Sequence, residues 1–386
     1  MDVQGRDTLT QQIHFLALTK YGRLGASSRM RTWQYLPLLE QAGIRVTVQT
    51  LLSDKQLQAR YQEGNYSVSD LIRAYGQRLL AMQGRRRFDL VWIEKEALPW
   101  MPLWLERGML SGIPYVLDYD DAIFHNYDTH RNLLVRHVYG KRLDGLMAGA
   151  ALVIGGNSYL AQRAKDAGAT WVEVLPTVID LARYPYPFDS MERERIISSE
   201  AAGAVPRIVW IGSPSTARYL QLIHEPLQKL AARRPFTLRV IGGGTVELPG
   251  VQVEVLPWSE ASEVAAISAC DIGVMPLLDS PWERGKCGYK LIQYMACGLP
   301  VVAADVGVNS EIVKPGMNGC LARSTEEWLD ALTMLLDDAP LRARWGLAAR
   351  HSVEQSYCIK RTAPKLVQWL RSVAIGDTNA KERPPA

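Results

Sequence analysis

The sequence lacks the features that mark several classes of protein. Its five cysteines include no Cys-x-x-Cys pair, and a chain of 386 residues does not need disulfides to hold a core. No apolar run approaches the roughly 18 residues that would span a bilayer. Met1–Thr10 is polar and lacks the apolar segment of a secretion signal. These absences predict a cytoplasmic protein with reduced thiols.

Two familiar kinds of functional motif are also missing. The dinucleotide fingerprint GxGxxG is absent, which argues against a nicotinamide enzyme. The six histidines form neither an HxxxH nor an HExxH pattern, so no zinc site is predicted. The net charge of +4 does not demand a nucleic-acid partner, although it suits anionic ligands or an anionic membrane surface. The sequence therefore predicts neither a metal nor a nucleic acid.

What the sequence does contain is an alternation of short apolar runs with longer amphipathic segments, which is typical of parallel strands joined by helices. The alternation occurs twice, on either side of a segment rich in proline, tyrosine and charge. Single long helices are predicted over Arg29–Ala42 and Thr216–Arg233. The predicted regions are a Rossmann-like domain over 1–180, a linker over 181–206, a second Rossmann-like domain over 207–360, and a C-terminal helix, which could cross back to the first domain, with a disordered tail over 361–386.

The most specific segment is Pro281–Val313, PWERGKCGYKLIQYMACGLPVVAADVGVNSEIV. Its pattern predicts a polar loop, a helix, a glycine turn and a buried strand. Gly285 and Gly288 leave backbone amides near the helix start, where the helix dipole favours an anion. Lys286 and Lys290 add positive charge on the same side. The pattern favours a diphosphate site, and an ordinary strand–loop–helix connection is the alternative.

The same segment resembles the donor-site signature of family 4 glycosyltransferases. Met295–Ala303, MACGLPVVA, carries the strongest likeness, and Leu175–Asp180 and Trp210–Gly212 carry weaker ones. The resemblance implies an α/β protein of GT-B fold, with two Rossmann-like domains whose parallel sheets face each other across a cleft. It also implies a nucleotide-sugar donor such as a UDP- or GDP-sugar, transfer with retention of configuration, and neither a catalytic metal nor another cofactor.

The sequence departs from the family pattern at its charged positions. Gln293 stands where the family has the second glutamate of the donor loop, and it can still hydrogen-bond a ribose. Gly285 stands at the first glutamate position, and Glu283 would replace that glutamate only in a re-registered loop. Ser213 and Arg218 stand where the family has an Arg–Lys pair for the diphosphate, so Lys286 or Arg284 would supply the missing charge. The donor-binding residues implied are Gly25, Gly212, Ser213, Arg218, Glu283, Arg284, Gly285, Gly288, Tyr289, Lys290 and Gln293.

The first half offers candidates for the acceptor. The turn after the first strand contains Gly25, which permits close backbone approach, with Ser27 and Arg29 as hydrogen-bond donors. For the serine, capping of the next helix is the alternative. Glu94 follows another buried strand and could touch the acceptor. Trp100–Trp104 could form an apolar lip for a lipid-linked acceptor.

The run Pro114–Phe124 leaves a buried strand and delivers three carboxylates. Asp118 and Asp120 mimic the DxD metal motif of the other large glycosyltransferase fold, which we discount because the second-half signature disagrees with that fold. Carboxylates at a strand end suit an acceptor hydroxyl better, as its orienting group or its base. The predicted catalytic residues are Asp121, then Asp120, with Lys286 at the leaving group. For the two aspartates, solvated capping of the next segment is the alternative.

These residues predict a glycosyltransferase that moves a sugar to a glycan or a lipid-linked acceptor, in cell-envelope polysaccharide or glycoconjugate synthesis. A lipid-linked acceptor would require peripheral contact with the cytoplasmic face of a membrane. Two alternatives stay open: a nucleotide-sugar epimerase or hydrolase of the same fold, and a degenerate scaffold that only binds nucleotides. Gly285 and Ser213, at positions where charge is expected, keep the scaffold in consideration.

Overall fold

The computed structural model describes residues 13–185 and 205–377. They form two six-stranded parallel sheets, and the chain divides into two compact units: Met1–Pro176 with Thr362–Ala386, and Thr177–Arg361. The predicted α/β class with two Rossmann-like sheets is therefore confirmed. Most of the predicted linker, 186–204, and the last part of the predicted tail, 378–386, lie outside the described residues.

The first unit is built on a sheet of strand order β2-β1-β3-β4-β5-β6. Its strands are Ile13–Tyr21 (β1), Ile44–Leu52 (β2), Leu90–Glu94 (β3), Tyr115–Tyr119 (β4), Leu152–Gly155 (β5) and Val172–Val174 (β6). Its helices before β6 are Ala26–Arg31 (α1), Leu36–Gln41 (α2), Asp54–Glu63 (α3), Val68–Gln83 (α4), Leu103–Leu110 (α5), His125–Asp128 (α6), Leu133–Tyr139 (α7), Arg142–Ala148 (α8) and Ser158–Asp166 (α9). Every residue of β3 and β4 is buried, because helices cover both faces of a parallel sheet.

The second unit has strand order β12-β11-β10-β7-β8-β9. Its strands are Arg207–Ile211 (β7), Thr237–Ile241 (β8), Val253–Leu256 (β9), Ile272–Met275 (β10), Val301–Ala304 (β11) and Gly319–Ala322 (β12). Its helices are Pro214–Ala217 (α10), His224–Ala231 (α11), Glu263–Ser268 (α12), Pro281–Arg284 (α13), Tyr289–Ala296 (α14), Asn309–Ile312 (α15), Thr325–Asp337 (α16) and Ala339–Ser356 (α17). This is the strand order of Rossmann domains.

Each sheet has one place where the strand order reverses. In the first sheet it lies between β1 and β3, and in the second between β7 and β10. The loops that leave these strands at their carboxyl ends diverge to opposite faces of the sheet and leave room for a ligand. The predicted site residues lie at or after the ends of β1, β3, β4, β7 and β10. Each unit therefore places its predicted site residues at the carboxyl ends of its strands.

Two predicted helices are broken in the structure. The segment predicted as one helix over Arg29–Ala42 consists of α1, a 3-10 turn at Trp33–Tyr35, and α2, which has Pro37 in its first turn. Proline has no N–H for the carbonyl four residues earlier, so the helix restarts there. Thr216–Arg233 is likewise divided by a 3-10 segment, after which α11 carries Pro226 in its first turn.

The last helix, Ile359–Ile375 (α18), begins in the second unit and continues into the first. Its Thr362 hydroxyl lies 2.8 Å from the Tyr35 hydroxyl, and Arg371 donates to the Ala42 carbonyl. The helix is therefore packed on the first unit from Thr362 onward. Among the described residues, no helix combines the length and the apolar character needed to span a membrane.

Candidate active site

Four carboxylates gather at the carboxyl ends of β3 and β4, and we call Glu94, Asp118, Asp120 and Asp121 the acidic cluster. The strand register pairs Glu94 with Asp118, which brings the two strand ends level. Asp120 and Asp121 follow directly where β4 stops. The parallel sheet therefore collects side chains from two separate segments at one edge.

Lys95 lies at the centre of the acidic cluster. Its Nζ is 2.9 Å from Asp120 Oδ1 and 3.5 Å from Asp121 Oδ2, and it donates to Ser27 Oγ at 2.7 Å. Its φ of 65° lies in the left-handed region, which costs a non-glycine residue of order 1 kcal/mol or more. Burial disfavours the charged amine, but the carboxylates of Asp120 and Asp121 outweigh it and raise the pKa of Lys95. The cluster thus holds a charged lysine in a strained backbone conformation.

The serine turn after β1 packs against the same carboxylates. Ser27 Oγ donates to Asp120, and Ser28 Oγ donates to Glu94 Oε2 at 2.5 Å. The backbone N–H of Lys20 donates to the same Glu94 oxygen at 3.0 Å. Burial raises the pKa of Glu94. Ser27 and Glu94, which the sequence predicted as acceptor-binding residues, are therefore brought together with Asp120.

Two arginines of α1 serve the fold of this turn. Arg29 is buried, and its Nη1 donates to the carbonyls of Arg23 and Leu24 at 3.0 and 3.3 Å. An arginine placed in this way supports the loop around Gly25, and the acceptor contact predicted for it stays a prediction. Arg31 is also buried and reaches Asp118 at 2.6 Å.

The acidic residues differ in their access to solvent. Asp118 is fully buried against Arg31, whereas the side chain of Asp120 is 11% exposed and that of Asp121 is 30% exposed. Burial opposes ionisation of Asp120, but Lys95 and the Ser27 hydroxyl outweigh it and lower its pKa. Within residues 13–185 and 205–377, no three His, Cys, Asp or Glu side chains are grouped to hold a metal ion. Asp121 is thus the carboxylate of this cluster best placed to meet an acceptor.

In the second unit, the predicted donor loop runs from β10 through α13 into α14. Gly288 occupies the N-cap position of α14 with φ 64°. A Cβ at this glycine would lie 2.3 Å from Ile312 Cδ1, so both the backbone and the space require glycine. This turn sets the direction in which the first amides of α14 point.

Lys290, in the first turn of α14, lies over the indole of Trp210. Its Nζ is 4.3 Å from the ring centroid, and a Cβ built on Gly212 would come within 2.8 Å of the same nitrogen. Lys290 makes no ion pair with any described carboxylate. Burial, with a smaller contribution from Lys286, lowers the pKa of Lys290 to about 7. The side chain is a half-buried cation placed where the strand order reverses.

Lys286 and Arg218 complete what we call the cationic cluster, Lys286, Lys290 and Arg218. Lys286 Nζ lies 5.9 Å from the Trp282 ring centroid. Arg218 is exposed and donates from Nη2 to the Tyr219 hydroxyl at 3.4 Å. Both predicted cations therefore flank the loop that carries Gly285, and each lies beside an aromatic side chain.

Glu283 is buried beneath this loop. It accepts hydrogen bonds from the hydroxyls of Tyr219 and Ser280. Burial alone would raise the pKa of Glu283, but these two hydrogen bonds bring it below its ordinary value. The carboxylate thus ties α13 to the segment that follows β7, and its predicted contact with the donor sugar stays a prediction.

Three further predicted donor residues have side-chain partners of their own. Arg284 is exposed and paired with Asp279 at 2.7 Å, so its charge is already engaged. Gln293 is buried and donates to the Tyr184 hydroxyl at 3.3 Å. Ser213 Oγ lies 2.9 Å from Ser215 Oγ at the start of α10. Of the two cations named to supply missing charge, Lys286 is therefore the better placed.

Sequence reasoning missed three residues that organise these groups: Lys95, Trp210 and Tyr219. Lys95 stands between two glutamates directly after a buried strand, a position that the strand-end rule could have singled out. Trp210 is the last residue but one of β7 and stands two positions before the candidate Gly212. Tyr219 has no comparable signal, because its partner Glu283 is 64 positions away in the sequence.

Comparison with known proteins gives these features a context. Residues 205–338 match the family model described as glycosyl transferases group 1. This segment, about a third of the chain, is similar to group 1 glycosyltransferase domains. It contains β7, β10, Lys290, Glu283 and the glycine turn at Gly288, so the cationic cluster belongs to this segment.

One relative of the chain is the D-inositol 3-phosphate glycosyltransferase of Pseudarthrobacter chlorophenolicus, to which it is 26% identical over 300 residues. The alignment covers 70% of this chain and 66% of the relative, just under two thirds of that protein's length. Similar solved structures are HepE from Anabaena in complex with UDP (TM-score 0.63, 17% identity, 94% of this chain and all of that one) and sucrose-phosphate synthase from Thermosynechococcus elongatus (TM-score 0.68, 14% identity, 95% and 100%). The chain has the GT-B fold that these glycosyltransferase structures share.

Proposed function

We propose that the protein is a glycosyltransferase that uses a nucleotide-sugar donor, a UDP- or GDP-sugar, and a glycan or lipid-linked hydroxyl acceptor. The observation that carries the proposal is Lys290, a half-buried cation over Trp210 without a carboxylate partner among the described residues, at the strand-order reversal of the segment similar to group 1 glycosyltransferase domains. A diphosphate supplies the negative charge that such a cation lacks. The D-inositol 3-phosphate glycosyltransferase relative and the UDP complex of HepE support the same choice.

The reaction breaks the bond between the sugar C1 and the diphosphate oxygen and forms a bond between C1 and the acceptor oxygen. The nucleoside diphosphate leaves with the bonding electrons, and Lys286, Lys290 and Arg218 stabilise its growing negative charge. The acceptor hydroxyl loses its proton, which Asp121 receives as the most exposed carboxylate of the acidic cluster, with the less exposed Asp120 as its neighbour. We propose retention of configuration and no metal or other cofactor, as the sequence resemblance implies.

The acceptor role belongs to the first unit in this proposal. Ser27, Glu94 and the turn at Gly25 surround Asp120, and a hydroxyl bound near Asp121 would meet these groups. A cell-envelope polysaccharide or glycoconjugate would be the product.

The test is to replace Lys286 and Lys290 singly by alanine and to measure donor binding by calorimetry, transfer to acceptor, and thermal unfolding. Each loss of one charge-assisted contact to the leaving group should lower the transfer rate by about 10- to 100-fold. The unfolding temperature should stay near that of the wild type. Lys229→Ala, which removes an exposed lysine paired with Glu225, is the matched control.

Three results would point away from the proposal. Wild-type transfer rates in both lysine variants would show that the cationic cluster is not part of the active site. Consumption of the donor with no acceptor glycosylated would favour an epimerase or hydrolase. Binding of UDP or GDP with no turnover of any nucleotide sugar would favour the degenerate scaffold.

A further inference from the structure

Helix α7, Leu133–Tyr139, has no buried residue. Its half-buried residues are Val135 and Tyr139, one turn apart, so this side faces the protein. The rest of α7 carries three exposed apolar side chains, Leu133 (69%), Leu134 (67%) and Val138 (57%), beside the exposed Arg136 and His137. A helix on the surface of a domain normally shows mostly polar residues there. The exposed surface of α7 therefore combines more apolar area than water alone would favour with basic side chains.

Two exposed tryptophans belong to a segment beside α7. Trp100 has φ 61°, and its ring contacts the rings of Tyr127 and Tyr139 at centroid distances of 4.8 and 6.2 Å. Trp104 is the second residue of α5 and is 73% exposed. The contact with Tyr139 places the Trp100–Trp104 segment beside α7. We call Leu133, Leu134, Val138, Trp100 and Trp104 the α7 face.

The charge around the α7 face has one sign. Arg131, Arg136 and Lys141 are exposed, and no acidic residue occurs from Thr129 to Arg142. The carboxylates that flank this stretch are already paired within the unit: Glu106 with Arg142, and Asp128 and Asp144 with Arg163. Exposed leucine and tryptophan beside exposed arginine and lysine is the composition of a surface that lies in the headgroup region of an anionic bilayer.

We propose that the α7 face docks the first unit on an anionic lipid surface. A second copy of the chain is a poorer occupant, because a twofold contact would bring this basic surface against the same basic surface of the copy. The lipid surface instead brings opposite charge to the basic side chains and an apolar layer to the leucines and tryptophans. The docking does not depend on the proposed transferase activity, so each can fail without the other.

The structure also shows how the α7 face is attached to the acidic cluster. Arg142, which begins α8, binds the carboxylates of Glu96 and Glu106 and the carbonyls of Leu98 and Met101. Tyr127 links the same Glu96 to the backbone N–H of Trp100. The segment between Lys95 and Trp100 is thus held at several points along its length.

The test uses the full chain and vesicles of phosphatidylcholine with about 30% phosphatidylglycerol, followed by flotation at low salt. The wild type should float with these vesicles and far less with pure phosphatidylcholine. The double variant L133S/L134S and the double variant R131S/R136S should each lose binding, the latter by about fivefold for each charge removed. Ile72→Ser and Arg45→Ser, at exposed positions on α4 and β2, are the matched controls and should bind as the wild type does.

Thermal unfolding of every variant shows whether a loss reflects the surface or the fold, since exposed residues should leave the unfolding temperature unchanged. Equal flotation of the wild type and both double variants would overturn the proposal. So would a concentration-dependent dimer, seen by light scattering, that L133S/L134S abolishes, because the α7 face would then bind a second copy.

Discussion

The acidic cluster of the first unit lies beside a strand-order reversal, at the carboxyl ends of β3 and β4, and the cationic cluster of the second unit lies at the other reversal. Their charges are nevertheless handled in opposite ways. In the first unit, Asp118 and Asp120 are paired with Arg31 and Lys95 inside the fold. In the second unit, Lys290 rests on an aromatic ring and makes no ion pair with a described carboxylate. Charges paired inside a fold hold its structure, and a cation without a paired anion is ready to receive one.

The largest effect should come from Lys95→Met, which removes the cation that Asp120 and Asp121 share. Breaking a buried pair from one side leaves a charge uncompensated, so the free energy of unfolding should fall by about 3 kcal/mol, and transfer should be lost with it. Chemical denaturation and a transfer assay measure the two losses. Lys55→Met, at an exposed position of α3, should change neither. A Lys95→Met protein as stable as the wild type would show that the cluster is not held together by this lysine.

The next effect separates Asp121 from Asp120. Because Asp121 is the more exposed, Asp121→Asn should lower the transfer rate by about 10²- to 10³-fold at nearly unchanged stability. Asp120→Asn should lower stability as well, since it weakens the contacts with Lys95 and Ser27. Rates at saturating donor and thermal melts of both variants give the comparison. If Asp121→Asn retained full activity while Asp120→Asn did not, the base would be the buried carboxylate.

Lys290→Met should weaken donor binding by less than the variants of the acidic cluster reduce transfer, and unlike Lys95→Met it should not lower stability. The variant should lose about 10- to 100-fold in affinity for the nucleoside diphosphate, because one charge-assisted contact disappears. Its unfolding temperature should equal or exceed that of the wild type, since a half-buried cation has been replaced by an apolar side chain of similar length. Lower stability in Lys290→Met would mean that the second unit, like the first, depends on its charge for folding.

The smallest effect is a dependence on pH. Lys290 has a pKa of about 7 in the folded chain against 10.5 ordinarily, so between these values the unfolded chain binds a proton that the folded chain does not. The contribution of Lys290 to the free energy of unfolding therefore rises with pH between about 7 and 10.5, and it is lowest below about pH 7. A bound diphosphate favours the charged amine, so binding should take up a proton and weaken several-fold from about pH 7 to pH 9. Calorimetry in two buffers of different ionisation enthalpy at about pH 8 measures the proton, and Lys290→Met should abolish its uptake.

Much of the fold follows from the sequence pattern, because buried parallel strands leave uninterrupted apolar runs and the loops after them carry the polar residues. The same pattern predicts that Ser27, Glu94 and Asp120 lie at the strand ends of the first sheet, and it predicts the glycine turn at Gly288. The pattern does not show where a proline ends a helix within an amphipathic run, which is why the segment containing Pro37 was wrongly predicted to be one helix.

The direction of individual side chains is the part that the sequence could not supply. Arg29 and Arg31 are two positions apart on one short helix, and both turn inward, one to backbone carbonyls and the other to Asp118. Glu283 and Tyr219 meet only because two loops converge after β7 and β10. Partners so distant in sequence become visible only once the strand order is known.

Among the described residues, Lys95 and Trp100 are the two that adopt positive φ without being glycine, and they delimit one short stretch of chain. Lys95 lies among the carboxylates proposed to receive the acceptor proton, and Trp100 belongs to the α7 face. Because the stretch Lys95–Trp100 is held at both ends, a bilayer that binds Trp100 would also constrain the orientation of the carboxylates around Lys95. An enzyme that takes its substrate from a lipid film needs its membrane anchor aligned with its catalytic groups, and here the six residues Lys95–Trp100 would provide that alignment.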